Sequence, residues 1–356
     1  MRTLLRPTAF VDSPFGHDGK VARLAGGLNW FSAVELIHVD GRSRTSSELV
    51  PVEGIDRRLD ADATAQWDAL IASRPPLQLG ERTIRLDQPQ LMGIVNVTPD
   101  SFSDGGQFAD AGQAADAGAR MTAAGAAMID VGGESTRPGA KAVWEGDELE
   151  RVVPVIRQLA AGGTAVSVDT RKADVMTAAV GAGARMINDV SALTFDDRAG
   201  DVIGSASVPV VLMHHQGAPE TMQDDPRYDD VLVEVFLWLE ERIAAAEAAG
   251  ISRNKILIDP GFGFGKNVGH NLELMNGLAL LHGLGCPIVV GASRKRMIGA
   301  LSGEAPADQR LGGSITLALK AAEQGAQILR VHDVPETMQA VRVWRGLRDQ
   351  ALTPRV

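Results

Sequence analysis

The sequence has few of the features that mark secreted, membrane or nucleic-acid-binding proteins. It contains one cysteine, Cys286, in 356 residues, so an internal disulfide is impossible and a reducing compartment, the cytoplasm, is expected. Aromatic residues make up only 4% of the chain, which argues against an aromatic platform for stacking bases. No apolar run approaches the roughly 18 residues of a membrane span, and the basic N-terminus lacks the apolar stretch of an export signal. We therefore expect neither a membrane anchor nor export.

The charge balance argues against nucleic acid as a partner. The 35 basic and 45 acidic residues give a net charge of −10, which would repel a phosphate backbone unless basic groups were concentrated in one place. The composition, 22% charged and 45% hydrophobic, is that of an ordinary globular protein. The length allows two domains of about 150 residues, or one α/β barrel of about 250 residues with an appendage.

Glycine is abundant, and its placement helps to separate these possibilities. From about residue 90, short apolar strands alternate with alanine-rich helical stretches, and glycines such as Gly125, Gly183 and Gly325 stand where helices must end. Eight such units predict a (β/α)8 TIM barrel over residues 81–350. No GxGxxG turn supports a doubly wound dinucleotide fold, and GFGFGK (261–266) is interpreted as a flexible loop. The predicted strands cover 93–97, 127–133, 165–170, 185–192, 209–215, 255–261, 287–293 and 328–334, and the predicted helices cover 110–125, 146–161, 172–182, 196–206, 228–249, 269–284, 308–325 and 335–349.

The ends of the chain differ from this pattern. Residues 1–80 are expected to form an N-terminal accessory extension, a small α/β subdomain with a strand at 30–40 and a helix at 61–73. Residues 351–356 form a C-terminal tail. The sequence predicts no role for the extension.

Polar residues crowd the carboxyl ends of the predicted strands, where barrel enzymes place their active sites. In ILRVHDV, Arg330 and His332 are two residues apart and share one face of the strand. A guanidinium beside an imidazole at the barrel mouth is suited to a multiply charged anion such as phosphate. The alternative is a buried Arg330 paired with Asp333. The other strand-end polar residues are Asn96, Glu134, Asp169, Asn188, Asp189, His214, His215, Asp259, Ser293 and Lys295.

Three of these side chains could read the edge of a heterocycle. Asp169, Asn188 and Asp259 would point inward and offer the acceptors and donors that complement a guanine-like or pterin-like ring. The rival interpretation is a magnesium site, for which Asn96 is a plausible ligand, whereas no HExxH or CxxC motif supports zinc. His214 and His215 are adjacent and cannot both face one site in a regular strand, so at least one of them is structural.

Two loops resemble lids. VTPDSFSDGGQF (97–108) and GGESTRPGA (132–140) are rich in small and polar residues that can close over a ligand. A purely structural loop would not need Asp100, Asp104, Thr136 and Arg137 together with an exposed Phe102.

The motifs together resemble one family, dihydropteroate synthase. They include GIVNVTPDSFSDGG (93–106), IDVGGESTRPGA (129–140), SVDTRK (167–172), IDPGFGFGKNVGHN (258–271), GASRKRMIG (291–299) and RVHDV (330–334). The resemblance covers about residues 81–350. It implies a TIM barrel that condenses dihydropterin hydroxymethyl diphosphate with para-aminobenzoate, releasing pyrophosphate in folate biosynthesis, and that is a sulfonamide target. It also implies Mg²⁺ and a homodimer.

The resemblance also implies a role for each motif position. Asp169, Lys295, Arg330 and His332 would be catalytic. The pterin would be held by Asp169, Asn188, Met213, Asp259, Phe264, Gly291 and Lys295, and the diphosphate by Asn96, Arg137, Arg330 and His332. Para-aminobenzoate would contact Phe102, Thr136, Arg137, Pro138 and Ser293, and the metal would bind Asn96 with Asp100 or Asp104.

The sequence departs from the family pattern in two places, and two alternative functions remain open. Arg296 stands where many family members have serine, and the extension precedes the region of resemblance. The rivals are a methyltransferase that passes a methyl group from methyltetrahydrofolate to a corrinoid, and a pterin-binding paralogue without catalysis.

Overall fold

A small antiparallel sheet and one helix precede the barrel. The computed structural model describes residues 2–97, 107–134, 143–217 and 221–353, with the side chains of 107–110 excepted. Strand β3 (Trp30–Asp40) is central and pairs with β1 (Arg2–Val11) on one edge, and with β2 (Ala22–Arg23) and β4 (Ser43–Pro51) on the other. Helix α1 (Ala61–Ile71) follows, and the side chain of Asp60 caps it by accepting from the Ala63 N–H. The predicted strand at 30–40 and helix at 61–73 are therefore present.

Eight parallel strands then form the barrel. They are β7 (Gln90–Asn96), β8 (Met128–Gly132), β9 (Val166–Asp169), β10 (Met186–Asp189), β11 (Val210–Met213), β12 (Ile256–Asp259), β13 (Val289–Val290) and β14 (Ile328–Val331). Their order in the sheet is β12-β11-β10-β9-β8-β7-β14-β13, and a bridge between Ile258 and Ile288 brings the two edge strands together. This confirms the predicted fold class.

The surrounding helices follow the predicted order, with two differences. They are α2 (Gln107–Ala124), α3 (Glu145–Ala161), α4 (Ala173–Ala182), α5 (Ala199–Ala206), α6 (Val231–Ala248), α7 (Val268–Asn276), α8 (Arg296–Leu301), α9 (Leu311–Glu323) and α10 (Val334–Ala351). The predicted helix at 269–284 ends at Asn276 and continues as a 3-10 helix, Leu278–Leu284. A side chain at Gly277 would lie 2.4 Å from Leu232 Cδ2, so this position brings the backbone against α6. The short helix α8 was not predicted.

A hairpin closes the amino end of the barrel. Strands β5 (Leu77–Leu79) and β6 (Arg82–Ile84) pair with each other, and the boundary expected between residues 80 and 81 falls at their turn. Their apolar residues pack against the first inward-facing residues of the barrel strands. This buried cluster contains Leu77, Leu79, Ile84, Leu86, Met92, Met128, Ala165, Met186, Val211, Leu257, Val289 and Ile328.

The extension has a hydrophobic cluster of its own, and part of its sheet also packs into the core of the barrel. Leu4, Ile37 and Val39 belong to the large cluster that lies between the barrel strands and their helices. Polar contacts add to this packing: Arg2 pairs with Glu240 on α6 at 2.5 Å, and Asn29 donates to the Ala322 carbonyl at 2.7 Å. The extension and the barrel therefore share buried surface, and we expect them to unfold together.

No helix in the described part of the chain is long and apolar enough to cross a membrane.

Candidate active site

Two residues beyond the apolar floor, the inward positions of the barrel strands become polar. In β8 the floor residue Met128 is followed by Asp130, and in β10 Met186 is followed by Asn188. The alternation of side chains along a strand places both residues of each pair on the same face. The same step leads to Asp259 on β12 and Arg330 on β14. Each of these four side chains is buried or half-buried, so the polar groups form a pocket above a hydrophobic base.

Arg330 ties two carboxylates together across the pocket. Its Nε donates to Asp130 Oδ2 at 2.6 Å, and its Nη2 donates to Asp169 Oδ2 at 2.8 Å. Asn188 Nδ2 also donates to Asp130 Oδ2, at 2.9 Å. The expected alternative, Arg330 paired with Asp333, is wrong, because Asp333 is bound by Arg294 Nε at 3.0 Å. The guanidinium is therefore held in a fixed orientation by residues that are far apart in sequence.

The electrostatics of this cluster favour a proton on one carboxylate. Burial and the neighbouring Asp130 charge raise the pKa of Asp169 to about 7, although Arg330 opposes this shift. Burial also raises the pKa of Asp259, against the opposing influence of Lys295 and Arg330. Asp130 and Asp169 both accept from the Arg330 guanidinium. Burial lowers the pKa of Arg330, and the charges of these two carboxylates outweigh that effect and raise it. The pocket is thus able to accept or release a proton near neutral pH.

A second wall of the pocket brings Asp259, Gly291 and Lys295 together. Asp259 accepts from the Gly261 N–H at 2.7 Å, which orients its carboxylate. A side chain at Gly291 would stand 3.6 Å from Asp259 Oδ2 and 3.8 Å from Arg330 Cδ, so this glycine leaves open space between the two. Lys295 Nζ lies 4.2 Å from the centre of the Phe264 ring. Met213 ends β11, is 5% exposed and has the inward parity.

His332 is neutral at the mouth of the barrel. Burial and the nearby Arg330 lower its pKa to about 3. Ser293 Oγ accepts from the His332 backbone N–H at 3.3 Å and lies 3.1 Å from Nδ1. A serine hydroxyl that accepts from the N–H can donate its own proton to Nδ1, which leaves the ring proton on Nε2. His332 therefore offers a hydrogen-bond donor, and the positive charge expected from the Arg330 and His332 pair comes from Arg330.

Several of the predicted site residues lie outside the described residues. These are Asp100, Phe102, Asp104, Thr136, Arg137 and Pro138, together with most of both expected lids. Their predicted contacts with para-aminobenzoate, diphosphate and metal stay predictions.

Asn96 ends β7 beside the pocket. Its Oδ1 and Asp169 Oδ2 lie 3.7 Å and 3.8 Å from the point that a side chain at Gly132 would occupy. Within the described residues, no group of three or more His, Cys, Asp or Glu side chains is arranged as a metal site. A magnesium ion that keeps waters and binds substrate phosphate oxygens needs only one or two protein oxygens, and the Asn96 side chain has one.

Asp130, the acceptor shared by Arg330 and Asn188, was not among the site residues predicted from the sequence. Asp130 has no exposed surface, and its Oδ1 has no hydrogen-bond partner within the described residues. The alternation that assigned Arg330 and His332 to one face would have found it, because Asp130 stands between the inward Met128 and Gly132. His214 is the structural member of the histidine pair: it is 3% exposed and packs edge-on against Trp238.

Comparisons with known proteins agree with this geometry. A family model described as "Pterin binding enzyme" matches residues 92–332. The dihydropteroate synthase of Escherichia coli K12 is 49% identical over 262 residues, which are 73% of this chain and 92% of that protein. The chain belongs to the dihydropteroate synthase family. The synthase of Neisseria meningitidis serogroup B is 46% identical over 275 residues, or 76% of this chain and 96% of the relative.

Solved structures of dihydropteroate synthases have the same fold. The Xanthomonas albilineans synthase with 4-aminobenzoic acid has a TM-score of 0.74 at 50% identity, and covers 79% of this chain and 100% of that one. The Yersinia pestis synthase in complex with a sulfonamide drug has a TM-score of 0.73 at 48% identity, with 77% and 99% covered. The Xanthomonas albilineans synthase in complex with 7,8-dihydropteroate has a TM-score of 0.70 at 47% identity, with 78% and 100% covered. About a fifth of this dihydropteroate synthase family member thus has no counterpart in these structures.

Proposed function

We propose that the chain condenses dihydropterin hydroxymethyl diphosphate with para-aminobenzoate, giving dihydropteroate and pyrophosphate in folate biosynthesis. The observation that carries this proposal is the buried set of Asp130, Asp169, Asn188 and Asp259 at the carboxyl end of the barrel, in which Arg330 binds Asp130 and Asp169. Carboxylates and an amide match a ring edge rich in N–H donors. Family membership favours this synthase reaction over methyl transfer to a corrinoid and over a paralogue without catalysis.

In the proposed reaction the residues of the pocket separate two developing charges. The bond between the pterin methylene and the diphosphate oxygen breaks, which leaves positive charge on the pterin and negative charge on pyrophosphate. Asp169 and Asp259 lie where they can stabilise the first, and the Arg330 guanidinium and the His332 N–H can stabilise the second. The amine of para-aminobenzoate is neutral at pH 7, forms the new C–N bond with its lone pair, and then loses one proton to water or to the released pyrophosphate. No strong general base is then required.

Mg²⁺ is proposed to accompany the diphosphate. Asn96 would hold the ion through Oδ1, and Asp100 or Asp104 would assist. A bound Mg²⁺ would neutralise charge on the leaving pyrophosphate. Arg137 is proposed to contact the diphosphate from the second loop.

The para-aminobenzoate site is proposed to combine Ser293 with residues of both loops. Ser293 is 7% exposed and lies beside His332, so it stands next to the proposed leaving-group site. Phe102, Thr136, Arg137 and Pro138 are the expected partners from the loops. A cytoplasmic homodimer is proposed on the resemblance, and the single buried Cys286 is compatible with a reducing compartment.

The decisive experiment is pyrophosphate release by the purified chain. Release should require the pterin diphosphate, para-aminobenzoate and Mg²⁺ together, and dihydropteroate should form in equal amount. Absence of release with all three present would refute the proposal, and tight cobalamin binding in its place would favour the methyltransferase.

A matched pair of variants tests the pocket itself. Asp259 and Asp189 both end barrel strands, and each accepts from the backbone N–H two residues on, but only Asp259 shares the inward parity of the pocket. Asp259→Asn should raise the KM for the pterin substrate at least tenfold, because a charged acceptor is lost. Asp189→Asn should lower stability, because only one of its two terminal atoms could still accept and the Leu193 N–H that Asp189 Oδ2 accepts would lose its partner, but it should leave that KM within about twofold. Equal effects of the two variants would remove Asp259 from the site.

A further inference from the structure

The segment GFGFGK, residues 261–266, lies beside the pocket with its backbone held by side chains. We call it the glycine loop. Gln223 Nε2 donates to the Gly263 carbonyl, and the Tyr228 hydroxyl donates to the Gly265 carbonyl at 2.8 Å. Asn271 Oδ1 accepts from the Gly263 N–H at 2.7 Å. The flexible loop expected from the glycine content is, in the structure, a loop whose peptide groups are bound individually.

Lys266 holds this loop from behind. It is 2% exposed, and its Nζ lies 3.0 Å from the Gly261 carbonyl oxygen, 3.2 Å from the Phe264 carbonyl oxygen and 2.8 Å from His214 Nδ1. An ammonium group has three N–H donors and no acceptor, so these three acceptors match it one for one. Burial and the Lys266 charge keep the pKa of His214 well below its usual value, so its neutral ring can accept. Burial lowers the pKa of Lys266 to about 7, and Asp259 opposes this shift.

The two carbonyls that Lys266 binds belong to residues that contact side chains of the pocket. Gly261 follows the Asp259-Pro260 pair and donates its N–H to Asp259, and Phe264 places its ring beside Lys295. Gly261 has φ of +68°, and a side chain there would stand 1.8 Å from the His214 carbonyl oxygen. The loop is therefore pressed against the end of β11, in a conformation that only glycine adopts without strain.

We propose that Lys266 is a positioning residue for the pterin slot. By binding the carbonyls at 261 and 264 and the ring of His214, it fixes the Phe264 ring against Lys295 and the Gly261 N–H on Asp259. Lys266 does not touch the substrate in this arrangement, and it acts through Phe264 and Asp259. The inference rests on the proposed function, because it assigns pterin to this slot.

The test replaces Lys266 by methionine, which has a similar length and no donor. Lys266→Met should raise the KM for the pterin diphosphate at least tenfold, and weaken pterin binding measured by calorimetry to the same extent. The KM for para-aminobenzoate should change less than twofold, since that substrate is assigned to other residues. A merely structural role would lower the active fraction, and thus kcat, with both KM values unchanged.

Arg74→Met is the matched control. Arg74 is also buried, and it donates to three backbone carbonyls, those of Ala69, Ala72 and His282, on the side of the extension. The Arg74→Met variant should lose stability to urea as Lys266→Met does, but its KM values for both substrates should be unchanged. If Lys266→Met does not fold, Lys266→Gln, which keeps two donors, should show a smaller rise in the pterin KM alone.

The outcomes separate the inference from the proposed function. Wild-type chain that binds pterin but releases no pyrophosphate would refute the proposed reaction, and the calorimetric comparison would still test Lys266. Unchanged pterin affinity and KM in a folded Lys266 variant, beside an active wild type, would overturn the inference alone.

Discussion

Asp130→Asn is the substitution with the most informative expected result, because it removes a buried charge with almost no change of shape. The amide oxygen of the variant can accept the Arg330 Nε and Asn188 Nδ2 bonds that Asp130 Oδ2 accepts at 2.6 Å and 2.9 Å. Its amide nitrogen would occupy the position of Oδ1, which has no hydrogen-bond partner within the described residues. We therefore expect the fold to be kept.

The size of the effect follows from the bond to Arg330. A hydrogen bond to a charged group contributes about 1.5–3 kcal/mol, against about 0.5–1.5 kcal/mol for a neutral one. Replacing the charged acceptor by a neutral one should therefore weaken the hydrogen bond that holds Arg330 by about 1–2 kcal/mol. If that loss is expressed in the transition state, kcat/KM for the pterin substrate falls roughly 5-fold to 30-fold. The loss should be fully expressed well above pH 7, where Asp169 is ionised in the wild type.

The direction of the pH shift expected in the variant follows from the charges around Asp169. Asp130 raises the pKa of Asp169, and Arg330 lowers it. Removing the Asp130 charge removes one of the effects that raise this pKa and leaves the lowering effect of Arg330, so the pKa of Asp169 should fall. If ionised Asp169 is the form that binds the pterin, the acid limb of the kcat/KM profile moves to lower pH in the variant.

The assay is pyrophosphate release between pH 5 and pH 9, with Asp68→Asn on the exposed face of α1 as a control that should leave the profile unchanged. The variant should lose less activity, relative to wild type, at pH 6 than at pH 8. An acid limb that stays in place, or that moves to higher pH, would refute the coupling between Asp130 and Asp169.

Two further predictions concern stability. Between about pH 4 and pH 7 the folded chain keeps a proton on Asp169 that the unfolded chain releases. The free energy of unfolding should therefore fall over this range as pH rises. A folded pKa of about 7 against about 3.9 in the unfolded chain corresponds to a fall of at most about 4 kcal/mol. Asp169→Asn should make that decline smaller, as measured by urea unfolding at pH 5 and pH 8. If the variant and the wild type show the same difference in the free energy of unfolding between these pH values, the raised pKa is contradicted. Ile37→Ala should cost about 2–4 kcal/mol, because Ile37 on β3 is 0% exposed and packs into the barrel core. It should lower the midpoint of one common unfolding transition with the pterin KM unchanged; a separate early transition would show that the extension unfolds on its own.

The barrel could be predicted from the sequence because its signals are local. Each strand is a short apolar run, and each helix that follows has its own period and its own terminal glycine, so the eight units can be identified one at a time. Gly183, for example, ends α4 with φ of +117°. The same alternation along β14 correctly placed Arg330 and His332 on the inner face.

The sheet of the extension and the partners of Arg330 could not be predicted in this way. Strand β1 contains Pro7 and is stabilised by pairing with β3 about 30 residues later, which no local pattern reveals. Arg330 is bound by Asp130, 200 residues earlier in the chain. The alternation along each strand can assign both side chains to the inside of the barrel, although only Arg330 was predicted there, and their distance depends on the stagger of the strands. Lys266 was overlooked for a similar reason, because its acceptors come from two strand ends.

The charge balance of the pocket indicates what it is built to stabilise. Three carboxylates, Asp130, Asp169 and Asp259, share the pocket with two cations, Arg330 and Lys295, and burial raises the pKa values of Asp169 and Asp259. A neutral pterin ring does not offset the cost of ionising these buried carboxylates. In the proposed reaction the pterin acquires positive charge as its bond to diphosphate breaks, so ionised carboxylates would bind the reacting state more strongly than the resting substrate. The net charge of −10 on the whole chain is therefore a poor guide to the site, where burial raises the pKa values of Asp169 and Asp259 against the nearby cations.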